Sequence, residues 1–529
     1  MGRKRMRVRV RLRLGALALA ALAGVLPACG GSSDEAPGTA PSAATVRLGG
    51  AATYIPSGDV RNLEPAAQGS VTSSGPYMNA IFDALFTVEP KTGNVRPRIA
   101  TSFTTTDGRT WTLKLRDGVK FSDGTALDAE AVRFSWERLR NGEVQAVASD
   151  AVRQMDTITV VDPLTLTVTL KAPNWQFQHA VQDSSTIWIV SPTAVRTQGN
   201  DDFAQHPVGA GPFTLKSRTP NSDTVLARNP NYWQTGLPKL DTLILRPNPD
   251  GQQALDTVLS GGAQAMYDGV GQLATQGKDA GLSAPQDYGM QGGVTFLFNQ
   301  AKAPFDDVRA RQAVVLALDL DEINQQVFEG GAEIPKTLFS PDSPFYDASL
   351  TLPVNQPEQA QALFDELAAE GRPVSFTINT TSGSASASYA KAIQTQLSTY
   401  DNVTVEVAQT DVPTHSAGLR NHTFQLASSG AQSVDPEPAL YAALHSTGSN
   451  NYGSIKDSAI DRGLDAGRAS SDEATRRAGY LAFQKAVIAN VPAIWAWRYH
   501  PVGILATNVT GLHFYGPSSP LFENFGLVE

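Results

Sequence analysis

The sequence predicts an α/β protein of more than one domain, its first domain completed by chain returning from the C-terminal end. Three observations predict this. The 529 residues exceed what one ordinary core holds, at roughly 100–200 residues per domain. Val374–Thr380, Tyr389–Tyr400 and Val403–Ala408 read strand, helix and strand, the βαβ unit of an α/β domain. Ala493–Trp497 is an apolar strand near the end of the chain, placed to carry it back to the first domain.

The elements follow in order. Seven bases lie between Arg3 and Arg13, and Leu14–Leu26 is then apolar for 13 residues. That run is too short to span a bilayer of roughly 30 Å, but it has the length and basic flank of a signal-peptide core. Gly30–Ala43 is a Gly/Ser/Pro/Ala tether without periodicity. No second apolar run approaches the ~18 residues of a transmembrane helix. In Trp111–Arg116, Trp111, Leu113 and Leu115 share one face, as in a half-buried strand. Asp117-Gly118 and Asp123-Gly124 mark turns. Asp128 caps a helix on which Val132, Trp136 and Leu139 recur at helical spacing. Ile158–Leu170 reads as two strands about an Asp162-Pro163 turn, and Asp472–Asn490 as a helix ending before Val491-Pro492.

Composition excludes several classes. Hydrophobic residues make up 41% of the chain, too much for general disorder. The net charge is −9, and loss of Met1–Ala28, with seven bases and no acid, would make it −16. Such a surface argues against a nucleic-acid partner. The single Cys excludes a disulfide framework and Cys-rich metal sites. No G-x-S-x-G or H-E-x-x-H motif appears, and Gly269–Asp279 fails the phosphate-loop pattern. His415 and His422 are seven apart, but their stretch holds Gly418 and is not convincingly helical. The reading is therefore not an enzyme, with no cofactor and no metal.

Several blocks carry a family pattern. Leu26-Pro27-Ala28-Cys29 resembles a bacterial lipobox, which implies lipidation of Cys29. Ile99–Leu139 is similar to the signature block of the extracellular solute-binding proteins of family 5. His206–Phe213 (HPVGAGPF) resembles that family's "PVGTGPY" strand. Asn229–Arg246, Asn299–Ile323 and Asn451–Ala489 resemble later family segments in family order. The resemblance implies a two-lobed periplasmic-binding-protein-like fold, with an extra subdomain in the first lobe and a two-segment hinge. The expected divisions are a signal peptide over 1–28 and a lipid-anchored linker over 29–44. The first lobe then takes 45–80, the extra subdomain 81–205, and the first lobe again 206–297. The second lobe takes 298–493, and 494–529 returns to the first.

The resemblance also implies a function. A monomeric lipoprotein on the outer face of the cell membrane captures a peptide or similar small solute between closing lobes. It hands the solute to an ABC permease and its ATPase. A solute sensor on the same fold and an exported hydrolase are the rival classes. In this family Trp111, Trp136 and Asp123 belong to the scaffold. Three regions are expected at the ligand. The first is an early loop, Thr72–Pro76, with Ser73, Ser74 and Gly75 allowing close approach; Tyr54, on the first segment after the opening strand, is a further candidate, with core packing as its other reading. The second is Ser429-Gly430-Ala431-Gln432. With Asp435-Pro436 setting the register, Gln432 stands where peptide receptors carry the Asp that pairs with the ligand ammonium. A neutral amide cannot neutralise a buried ammonium. The third is the returning strand with Trp495 and Trp497, able to stack on a ligand.

Overall fold

The computed structural model describes residues 46–68, 71–89, 93–144, 150–285, 291–499, 501–515 and 519–529. The proposed signal peptide, the tether and Cys29 lie outside them. Ala51–Ile55 is buried at four of five positions, as a central strand with both faces covered must be. It pairs parallel to Thr242–Leu245 and Ala265–Asp268. Around it the first sheet has the strand order 502–505, 265–268, 51–55, 242–245, 224–228 and 213–218.

Between the first and second strands of that sheet the chain builds a subdomain. Its antiparallel sheet orders the strands 100–105, 110–115, 165–170 and 155–162. Trp111, Leu113 and Leu115 are buried there, on the face that alternation assigns them. The strands Met155–Asp162 and Thr165–Leu170 flank the expected turn. Asp128 caps the helix Ala129–Asn141 by accepting from the Ala131 N–H at 2.9 Å, and Val132, Trp136 and Leu139 are buried behind it. The scaffold roles are visible in the bonds. The Trp136 indole donates to the Thr186 carbonyl at 2.7 Å, and Asp123 accepts from the Ser191 hydroxyl at 2.7 Å.

The second sheet orders 403–410, 374–381, 426–433, 291–298 and 493–497. The βαβ unit is present: Val374–Thr381 and Val403–Thr410 run parallel, joined through the helix Ala385–Leu397. Separate apolar clusters cover its two faces. The chain passes between the sheets twice, after Asp268 and after Trp497. Gln291–Phe298 and Ala493–Trp497 both lie in the second sheet, so each crossing sits a few residues outside the expected 297/298 and 493/494 junctions. Val502–Leu505, not 493–497, is the strand that rejoins the first sheet, antiparallel to Ala265–Asp268. A helix does cover His415: Val412–Arg420 starts with Pro at its first turn, and Asp411 caps it.

Candidate functional site

The crossings meet where two backbones press together. Gly292 and Gly293 open the strand 291–298 with φ of +72° and +158°. A Cβ on Gly292 would overlap the Ala431 carbonyl oxygen, and one on Gly293 the Trp497 carbonyl oxygen. Only glycine fits this approach. Arg498 then ties the two crossings together. Its guanidinium donates to the carbonyls of Thr337 at 2.7 Å, Leu338 at 3.0 Å and Gly292 at 3.4 Å. Burial holds its pKa below the usual arginine value, against the pull of Glu333 at 2.8 Å. Beyond it, the hydroxyls of Tyr499 and Tyr267 join the second crossing to the first sheet.

Four of the expected ligand residues share one place. Ser429, Gly430, Ala431 and Trp495 line a cavity of about 40 Å³ with Thr295 and Tyr452. That is room for a water-sized group, not for a peptide. Trp495 is 4% exposed, and its indole N–H is buried with no hydrogen-bond partner among the described residues. Trp497 goes elsewhere. A β-bulge pairs Val294 with Trp497 but Thr295 with Trp495, which leaves Ala496 as the extra residue. Trp497 therefore packs on the opposite face, against Phe328 at 5.0 Å and Tyr389 at 5.2 Å. It is a core residue, and the expected pair of stacking tryptophans is split.

The early loop is not a loop. Thr72–Pro76 lies inside the helix Val71–Phe82. These are weak helix formers, but Tyr77, Met78, Ile81 and Phe82 are each at most 1% exposed and hold the helix in place. Ser74 is buried. A Cβ on Gly75 would overlap the Ser519 hydroxyl, so its smallness serves packing on the strand Ser519–Leu521. Asn79 secures that contact by donating to the Ser519 hydroxyl at 2.8 Å and the Pro520 carbonyl at 3.0 Å. Ser73 stands in the same helix.

Tyr54 is fully buried, edge-on to Phe522 at 5.2 Å. Burial, with Tyr499 adding, pushes its hydroxyl pKa well up, and the hydroxyl has no hydrogen-bond partner among the described residues. Gln432 is half-buried, opposite Gly292, and its Oε1 is buried without a partner among the described residues. The Gln182 amide nitrogen and the Ser185 hydroxyl are likewise unsatisfied. Buried polar groups are normally bonded, so each of these atoms needs a partner that the described residues do not supply.

A second cluster escaped the sequence. Asp435, read as the turn former of Asp435-Pro436, receives two hydrogen bonds from Arg476 at 2.9 and 2.8 Å. Against the cost of burial, Arg476 and His179 hold its pKa below the usual carboxylate range. Two residues on, Glu437 is 2% exposed and pairs with Arg468 at 2.5 Å. Burial pushes its pKa up to about 7. Asn174 of the subdomain donates to Glu437 at 3.1 Å, and Gln176 to the Ser470 carbonyl at 3.0 Å. The subdomain thus rests on the second lobe through polar bonds. Arg468 and Arg476 look like ordinary helix-end and helix-face charges, so only an unusual buried Asp-Pro-Glu-Pro could have signalled them.

Over residues 94–451 the chain matches the family described as bacterial extracellular solute-binding proteins, family 5 Middle. It is 31% identical over 300 residues to the glutathione-binding protein GsiB of Salmonella paratyphi A, a match spanning 56% of this chain and 57% of that relative. With GsiB of Pectobacterium atrosepticum it shares 26% identity over 440 residues, 80% of this chain and 84% of the other. Among solved structures, DppA from Helicobacter pylori in complex with the peptide STSA superposes with a TM-score of 0.80 at 22% identity, over 91% of this chain and 99% of that one. AppA from Bacillus subtilis with a nonapeptide gives 0.78 at 21%, over 92% and 100%. At these identities the structures share the two-lobed fold.

Proposed function

Because this chain belongs to family 5 of the bacterial extracellular solute-binding proteins, we propose that it is the substrate-binding lipoprotein of an ABC importer. It captures a small peptide or a glutathione-like solute between its lobes and delivers it to the permease. The observation that carries this reading is the family match over a two-lobed body whose sheets are joined by two crossings. Solute that touches both lobes favours the closed arrangement by its differential affinity, and the permease reads that arrangement. The chain performs no chemistry on its cargo. Cys29 carries the lipid, and the tether lets the body stand off the outer face of the membrane. The protein works as a monomer.

Gln432 supplies the ligand chemistry. It offers an acceptor without a charge, while the cavity at Trp495 holds no more than a water-sized group. Such an acceptor suits a solute whose amine needs no buried counter-ion. Glutathione and dipeptides separate the possibilities. Calorimetric titration of the purified body is expected to favour glutathione, or a peptide with its amine solvated, over simple dipeptides. Gln432→Asp is expected to strengthen dipeptide binding; an unchanged dipeptide series would refute the role given to Gln432. Mass spectrometry of the solute that co-purifies identifies the natural cargo. Loss of lipid labelling in Cys29→Ala tests the anchor.

A further inference from the structure

A crevice of about 560 Å³ opens where the subdomain faces the second lobe. That volume is in the range of small-molecule sites. It shares no residue with the cavity at Trp495. Trp175 and His179 line it from the subdomain, and Asp342, Asp435, Glu473 and Arg476 from the second lobe.

The charges on its walls choose the ligand. Arg476 spends its charge on Asp435, which it grips with two hydrogen bonds. Asp342 and Glu473 are exposed carboxylates in no ion pair among the described residues. Among the lining side chains two carboxylates are left without a cation, and a further cation, Arg477, sits behind the wall on the carbonyls of Pro344 and Tyr346. His179 is 6% exposed, and among the described residues no hydrogen bond reaches its ring. Burial lowers its pKa, with Arg476 adding and Asp435 opposing. The imidazole is therefore neutral near pH 7 and presents a lone pair to a donor. Trp175, half-buried, supplies an aromatic wall. No group of three or more His, Cys, Asp or Glu among the described residues could hold a metal ion, so the geometry favours an organic cation over a metal.

We propose that this crevice is a second binding site, for a small organic cation with N–H donors, a primary amine or a guanidinium. The carboxylates of Asp342 and Glu473 hold its charge, the His179 imidazole accepts one of its protons, and Trp175 covers it. Both lobes contribute walls, so the bound cation favours the arrangement in which they face each other.

Agmatine, with an amine at one end and a guanidinium at the other, is the probe. Calorimetric titration of the mature protein is expected to show one saturable site. Its affinity is expected to fall about fivefold or more in Asp342→Asn/Glu473→Gln and in His179→Phe, and to stay unchanged in Gln432→Ala. The two rim carboxylates are exposed, so their neutral variants test the site even if His179→Phe folds poorly. No saturable binding to the parent protein overturns the proposal. So does binding that Gln432→Ala weakens and the rim variants leave intact, which assigns the amine to the solute cleft instead.

Discussion

Two buried charge clusters solve the same problem differently. At Arg98 every partner is fixed within the first lobe and its subdomain. The guanidinium meets Asp83, Glu523 at 2.9 Å and the Tyr232 hydroxyl at 3.0 Å. Tyr232 in turn donates to Asp83 at 3.0 Å, and the Trp233 indole at 2.9 Å. Burial opposes the charge on Arg98, but Asp83 and Glu523 overcome it and hold its pKa well above the usual value. At Glu437 the partners come from two bodies, Arg468 from the second lobe and Asn174 from the subdomain. Here burial outweighs one cation, and the carboxyl reaches about 7. The Arg98 cluster, closed inside one lobe, keeps the arginine charged although one Glu523 oxygen is buried without a partner among the described residues. At the boundary between bodies the outcome differs from group to group: the Glu437 carboxyl comes within reach of ordinary pH, while Asp435, gripped twice by Arg476, stays below the usual carboxylate range.

The largest test breaks the cluster at Arg98. Arg98→Met leaves Asp83 and Glu523 buried without their cation and is expected to cost about 3–5 kcal/mol in urea unfolding. A loss under ~1 kcal/mol would show that the cluster is not closed as described.

The next concerns the boundary cluster. The Glu437 carboxyl rises from 4.5 to about 7 on folding. The folded state then holds a proton that the unfolded chain releases. Its favourable contribution is full below pH 4.5 and is lost as the pH rises to about 7, a span of about 3 kcal/mol. The stability of Glu437→Gln relative to the parent should therefore improve by about that amount from pH 4.5 to 7. A difference that is flat across this window would mean that Glu437 is not buried against the subdomain. The smallest effect belongs to Asn174→Ala, which removes its donor to Glu437. It is expected to cost about 1–2 kcal/mol, and to move the Glu437 titration upward by removing a bond to the charged form. A downward movement would count against the contact.

Local pattern was legible and distant pairing was not. Alternation found the strand Thr110–Leu115, capping chemistry the helix after Asp128, and periodicity the βαβ unit from Val374. Each depends on residues within a turn or two of one another. The early Ser/Gly segment misled because composition there opposes a helix that tertiary burial enforces. At the site, residues 429–431 and Trp495 line one small cavity, while one extra residue at Ala496 turned Trp497 to the other face. A single bulge inverts the side chains beyond it, and nothing in the alternation of Ile494 to Arg498 announces it.

The sequence by itself determined the α/β class, the order of most elements and the family, because periodicity, caps and motif order are written along the chain. Only the tertiary structure decided which charges are shared. Asp435 and Arg476 lie 41 residues apart, Asn174 and Glu437 263. Whether such groups meet, and which of them burial leaves with a displaced pKa, depends on how the lobes and the subdomain pack, since desolvation acts through space and not along the chain.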